Sequence, residues 1–329
     1  MKTEEKKVTQ PATLDSFAYS AIEKHFKKSI KHEPDVLDDK DPESLHQMRV
    51  GLRRLRTAVD VFDFALDLPK PINDRAISKI AHSLGAVRDL DVLIAELNNQ
   101  QQSSLPTEEQ NRLEALLKKM NKQRKRDFAH LKRTLKGSDY DRLKDAFKDW
   151  LEKPHYQPVA QLPIQEVLPD LLLPLISETL LHPAWLVNAN FENGTALNVT
   201  HHSKGTVHSV HPEMLDDFMK QHSPALHDLR KQMKRVRYQT ELFVDFYDSA
   251  YAEQVDDFKT IQEVLGQIQD SAVLQGYLGS QIKGSVQDVY PTLSRQLDQK
   301  VADALQTWQT IQQRYLDPKF RSQLRSLVL

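Results

Sequence analysis

The chain has 329 residues, with 45 Lys and Arg against 46 Asp and Glu, only 9 Gly and no Cys. The absence of Cys excludes a disulfide framework, a thiolate metal site and a Cys nucleophile, and it fits a reducing compartment. So little Gly argues against phosphate-binding loops, and neither GxGxxG nor GxxxxGKS/T occurs. A chain of this length buries a proper core without staples and suggests two or three domains. The net charge of −1 conceals an asymmetry, because residues 1–150 carry a net of +4 and residues 151–329 a net of −5. Any anion site must therefore come from local clustering. The most apolar run, Leu168 to Leu181, contains Asp170, Glu178 and two prolines, and it is too short to span a bilayer. The first 15 residues lack the apolar stretch of a signal peptide, so the cytoplasm is the expected location.

A helical period recurs along almost the whole chain, which predicts an all-α fold. A first helix is expected from about Leu14 to Lys31, with Ile22, Phe26 and Ile30 on one face and Lys24, Lys27, Lys28 and Lys31 on another. Asp35 to Asp41 reads as an acidic loop. Asp41-Pro42-Glu43 then reads as an N-cap, a first-turn proline and an early acid, and starts a helix reaching about Leu66. A third helix is expected over about Asn73–Asn99. A fourth runs from a capping box of Thr107 and Gln110 to Leu135, and a short one reaches Leu151. Pro154, Pro158 and Pro163 mark a boundary. The expected division is 1–155 for a first bundle, 156–223 for a linker with the first helix of a second, and 224–329 for the remainder. Within 156–223 a helix is predicted over Gln165–Leu181, and residues 188–212 read as a loop or ordered connector. Helices are then expected to start near Met214, Pro224, Glu253 and Thr292.

An internal repeat organises these elements. LHQMRVGLRRLRTAVDVF at 45–62 aligns with LHDLRKQMKRVRYQTELF at 226–243, an offset of 181. At the same offset IAHSLGAVRDLDVL (80–93) aligns with IQEVLGQIQDSAVL (261–274), so the block is ungapped over 49 positions. His46/His227, Arg49/Arg230, Gly85/Gly266 and Asp89/Asp270 are among the identities. Two copies of a helical bundle, related by pseudo-two-fold symmetry, are expected.

At about 100° per residue, His46, Arg49, Arg53 and Arg56 fall within about 80° of one another, with successive members about 4.5 to 6 Å apart along the axis. Leu45, Met48, Leu52, Leu55, Val59 and Phe62 fall on the adjoining side. The second copy repeats the row as His227, Arg230, Lys234 and Arg237, beside Leu226, Leu229, Met233, Val236 and Phe243. A third row, Lys119, Lys122, Arg126, His130 and Arg133, lies on the fourth helix opposite Leu113, Leu117, Phe128, Leu131 and Leu135. Guanidinium groups donate paired hydrogen bonds to phosphate and stay charged. Histidines among them are neutral when the site is empty and take up a proton when an anion arrives. The spacing suits an extended polyanion, with the rows facing each other across the interface of the two bundles. Arg54 and Arg235, off the rows, are expected to pair with acids of neighbouring helices, and Arg88-Asp89 reads as a structural salt bridge.

The pieces DPESLHQMRVGLRRLRTAVDVF, LGAVRDLDVL and LHDLRKQMKRVRYQTELF resemble the CHAD domain, named for conserved histidines in an α-helical domain. The resemblance extends from about residue 13 to 329. It implies two four-helix bundles around a central basic groove and binding of inorganic polyphosphate without catalysis, with storage granules as one location. Some relatives carry a triphosphate tunnel domain with an ExExK signature. None is found here, so a stand-alone copy is expected. The second half departs from the pattern, since Gln269-Asp270 replaces the RD pair and its last long helix is rich in Gln. Anion affinity is therefore expected to lean toward residues 1–150.

No catalytic pattern is found: Ser-His-Asp order, HExxH and GxSxG are all absent. His201, His202, His208 and His211 match no standard zinc spacing and read as a polar surface loop. No cofactor, metal or membrane partner is expected. Nucleic acid is the alternative ligand, disfavoured because the rows lack aromatics for base stacking. A His46- or His227-dependent phosphatase or phosphotransferase is the enzymatic alternative.

Overall fold

A computed structural model describes residues 12–102, 105–192, 195–199 and 212–329. The fold is helical: α1 (Leu14–Lys31), α2 (Glu33–Asp38), α3 (Pro42–Phe62), α4 (Asp74–Gln102), α5 (Thr107–Leu135), α6 (Ser138–Glu152), α7 (Ile164–Leu180), α8 (Pro212–Glu241), α9 (Ser249–Gln281), α10 (Val286–Val289), α11 (Pro291–Leu316) and α12 (Pro318–Ser326). A two-stranded antiparallel hairpin, β1 (Ala189–Glu192) and β2 (Thr195–Val199), is the exception. It occupies the start of the expected loop at 188–212, pairing Asn190 with Leu197 and Glu192 with Thr195. The four connector histidines lie outside the described residues.

The chain divides into two compact units, residues 1–85 with 131–172 and residues 86–130 with 173–329. Helices α4, α5 and α7 each contribute to both, and the proline-rich stretch 153–163 lies inside the first unit.

In the first unit α1 packs on α3. Ile22, Phe26, Leu45, Met48, Leu52, Leu55 and Phe62 are buried, as their helical spacing requires. Gly51 makes the approach possible: a Cβ there would lie 2.9 Å from the backbone nitrogen of Ser29 and 3.0 Å from its Cα. Phe26 stacks on Phe147 of α6 at 5.0 Å between ring centres. The chain's two ends of this unit are tied where the Leu14 N–H donates to the Leu162 carbonyl. Asp41 caps α3 by accepting from the Glu43 N–H at 2.9 Å, as expected.

Three local expectations are corrected. Asp35 to Asp41 is not all loop, because Glu33-Pro34 starts the short α2, which ends at Asp39 in a left-handed conformation (φ 53°). Thr107 and Gln110 form no capping box; the Gln110 amide donates instead to the Leu105 carbonyl, 2.9 Å away. Pro224 does not begin a helix but sits inside α8, where it is exposed and the helix runs through it.

In the second unit, Leu97, Leu113, Met120, Leu278, Leu293 and Leu297 share one buried cluster. Glu109 of α5 is buried within it and accepts from the Thr292 and Leu293 N–H groups at 3.0 Å, so it caps the first turn of α11 from outside that helix. Trp185 stacks on Trp308 and Tyr315, and Gln312 donates to the carbonyls of Trp185 and Val187 at 2.8 Å.

The repeat extends into backbone detail. A fully buried phenylalanine stands at the end of α3 (Phe62) and two residues past the end of α8 (Phe243), each followed by a 3₁₀ turn, at Asp63–Ala65 or Val244–Phe246. Helices α5 and α11 end at Leu135 and Leu316, again 181 positions apart.

Two stability outcomes follow from the α1–α3 contact. Gly51→Ala forces the helices apart and is expected to cost about 1–3 kcal/mol, read by denaturant unfolding. His25, buried beside Arg54, Lys24 and Lys28, has its pKa pushed down to about 4, first by burial and then by those cations. The unfolded chain binds this proton more readily, so stability is full above about pH 6.5 and declines as pH falls toward about 4. His25→Leu is expected to flatten that decline in unfolding measured across this window; an unchanged pH profile would refute the assignment.

Candidate functional site

The helix surfaces carry the three cationic rows expected, in three different electrostatic states. On α3, His46, Arg49 and Arg53 are half-buried, beside the buried apolar side of the same helix. Arg49 lies against α4 at Gly85, where a Cβ would come 3.8 Å from its Nε and Nη2. Arg56, at the end of the row, donates to Asp74 at 2.5 Å in an exposed pair. Such a pair contributes little stability and yields readily to a competing anion.

On α8 the arrangement recurs within the second unit. Arg230 lies on Gly266 of α9, with a Cβ there placed 3.5 Å from its Nε and Nη2. Its Nη2 is 3.3 Å from the Asp270 carboxylate. Arg237 is held by Glu241 at 2.7 Å and reaches Gln262, so its guanidinium is mostly satisfied internally. Lys234 is half-buried near Asp270. Burial raises the Asp270 pKa, and the charges of Arg230 and Lys234 oppose that shift. The His227 pKa is lowered, chiefly by burial and then by Lys231 and Arg230, against a hydrogen bond to Gln269. His227 is therefore neutral at pH 7. Arg235 pairs with Glu178 of α7 at 3.4 Å, the neighbouring-helix contact its off-row position implied.

The row on α5 differs. Lys119, Lys122, Arg126 and Arg133 are exposed, and among the described residues none of them meets a carboxylate. His130 is exposed on the same helix. Arg124 stands apart from these: it donates to Asp91 of α4 at 2.7 Å, and both side chains are mostly buried. The sequence rows did not separate Arg124 from Arg126, because only the packing of α4 on α5 distinguishes a fastening arginine from a free one. Nor did they mark Gly85 and Gly266 as seats for guanidinium groups, although both glycines stand 36 positions after their arginines.

Among the described residues no group of three or more His, Asp or Glu could hold a metal ion. No described helix is long and apolar enough to cross a membrane.

Residues 20–279 match the family model of the CHAD domain. The chain belongs to the CHAD domain family. Its fold is similar to the crystal structure of the CHAD domain from the plant Ricinus communis, at 21% identity and a TM-score of 0.58, over 100% of this chain and 96% of that one. It is also similar to PptA from Streptomyces chartreusis, at 15% identity and a TM-score of 0.61, over 92% of this chain and 99% of that one. No curated protein matches. The helical fold of this CHAD chain is thus shared with both structures.

The two arginine classes on α5 separate in unfolding experiments. Arg124→Ala leaves Asp91 buried without its cation and is expected to cost about 2–4 kcal/mol. Arg126→Ala, at an exposed position, is expected to stay within about 0.5 kcal/mol of the parent. Equal costs would refute the distinction.

Proposed function

We propose that this CHAD chain binds inorganic polyphosphate through its helical rows of Arg, Lys and His, without turning it over. The family as a whole is linked to polyphosphate binding. The observation that carries the reading is the row on α5, whose exposed Lys119, Lys122, Arg126 and Arg133 have no carboxylate neighbours among the described residues. Charge uncompensated along one helix face favours a ligand with many negative charges at short intervals. His46, Arg49 and Arg53 supply a further cationic row within the first unit. In the second, Arg230 must exchange Asp270 for phosphate, so that row binds more weakly. A neutral His227 near bound phosphate gains a proton, which couples affinity to pH. The rows carry no base-stacking aromatics, which favours polyphosphate over RNA. The protein then works where polyphosphate is held, in the cytoplasm or on its granules.

Binding of labelled long-chain polyphosphate tests this. The Arg126→Glu/Arg133→Glu double variant is expected to lose at least about tenfold in affinity, with the slope of log K against log salt shallower by about one per lost contact. Arg53→Glu is expected to act in the same direction. Affinity should rise as pH falls from about 8 to about 6. Displacement by RNA at equal phosphate concentration, or phosphate release with Mg²⁺ that His46→Ala abolishes, would overturn the reading.

A further inference from the structure

Another cationic cluster lies in the first unit, on residues that belong to none of the three rows. The turn before α4, the first turns of α4 and the start of α6 enclose a cleft of about 590 Å³. Its charged lining is Lys70, Arg75, Lys79 and Arg142, with Asp139 as the one acid, beside Asn73, and the exposed Pro71 supplies apolar surface. Lys79 donates to Asp139 at 2.7 Å, and Arg142 donates to the same residue. One carboxylate therefore serves two cations, and these hydrogen bonds hold its pKa below the ordinary carboxylate value. Lys70 and Arg75 are exposed and meet no carboxylate among the described residues. The cleft thus carries a side-chain charge of +3. The start of α4 is already capped, since Asn73 Oδ1 accepts from the Ala76 N–H at 2.9 Å, so side-chain charge and not orphan backbone donors sets the preference.

We infer that this cleft binds a short oligophosphate anion, as a site separate from the α3, α5 and α8 rows. A concave pocket with convergent cations and some apolar wall suits a compact multivalent anion better than a long strand. Its charge is matched by three or more phosphate negatives. The same chemistry is presented by free tripolyphosphate and by the triphosphate of a nucleotide. Asp139 acts as a resident competitor: an entering phosphate takes over Lys79 and Arg142 from it. Removing that carboxylate charge should therefore strengthen binding, an effect that a purely structural role for Asp139 would not produce.

The inference is independent of the polyphosphate reading, and the test separates them. Calorimetric titrations use tripolyphosphate and, in a second arm, ATP without metal, on the full chain and on its Arg53→Glu variant. Tripolyphosphate binding that persists in Arg53→Glu, falls at least tenfold in Lys70→Glu/Arg75→Glu and rises several-fold in Asp139→Asn is the expected result. ATP binding as tightly as tripolyphosphate assigns the nucleotide source; tripolyphosphate alone assigns the inorganic one. No binding of either probe, or binding unchanged by Lys70→Glu/Arg75→Glu, overturns the inference. Loss in Arg53→Glu alone would place the anion on the α3 row instead and also overturn it. Lys70, Arg75 and Asp139 are exposed and Arg53 is half-buried, and circular dichroism melts verify that each variant folds.

Discussion

A guanidinium laid against a glycine of the next long helix is the contact that both arginine-bearing helices share. Arg49 lies over Gly85 and Arg230 over Gly266, where an added Cβ would stand at ordinary contact distance, 3.8 and 3.5 Å. The helix can then bury its leucines and methionines and still keep an arginine at the edge of the packed side. Arginine held this way loses less freedom when it captures an anion than one moving in open water. The same contact recurs in each unit at one sequence offset, together with a buried phenylalanine and a 3₁₀ turn at or just past the end of each helix. It is therefore part of the repeated architecture and not an accident of one helix.

Electrostatics divides the cations by what already neutralises them. Arg124 is a fastener, because Asp91 meets it in a mostly buried setting. Arg237 serves its own helix through Glu241, and Arg230 shares its charge with Asp270. The exposed Lys119, Lys122, Arg126 and Arg133 of α5 have no such compensation among the described residues. The lean of positive charge toward residues 1–150 is thus matched by a real difference in pairing, and the acids that offset the second row come from α8 and α9 themselves. The cleft at the start of α4 follows the same logic on a smaller scale, with two of its four cations sharing one carboxylate.

Periodicity made the helices and their buried sides readable. Leu45, Met48, Leu52 and Leu55, and their counterparts Leu226, Leu229, Met233 and Val236, are buried as spacing requires. Helix ends were readable where a local signal decides them, as at Asp41, and misread where a distant one does. Gln110 turns to a carbonyl before its helix, and α11 is capped by Glu109 from a residue 183 positions earlier. Pro224 reads as a boundary because proline lacks an N–H, yet the exposed ring lets α8 continue. The hairpin at 189–199 escaped because its strands are only four and five residues long.

By itself the sequence determined the all-helical class, the 181-residue repeat, the apolar sides and the three cationic rows, because each is a property of spacing along one helix. Only the tertiary structure decided which of those cations are already neutralised, which glycines seat an arginine, and where Lys70, Arg75, Lys79 and Arg142 converge. Those outcomes depend on which side chain a neighbouring helix brings within a few ångströms, and Coulomb and hydrogen-bond energies change steeply over that distance while sequence separation carries no record of it.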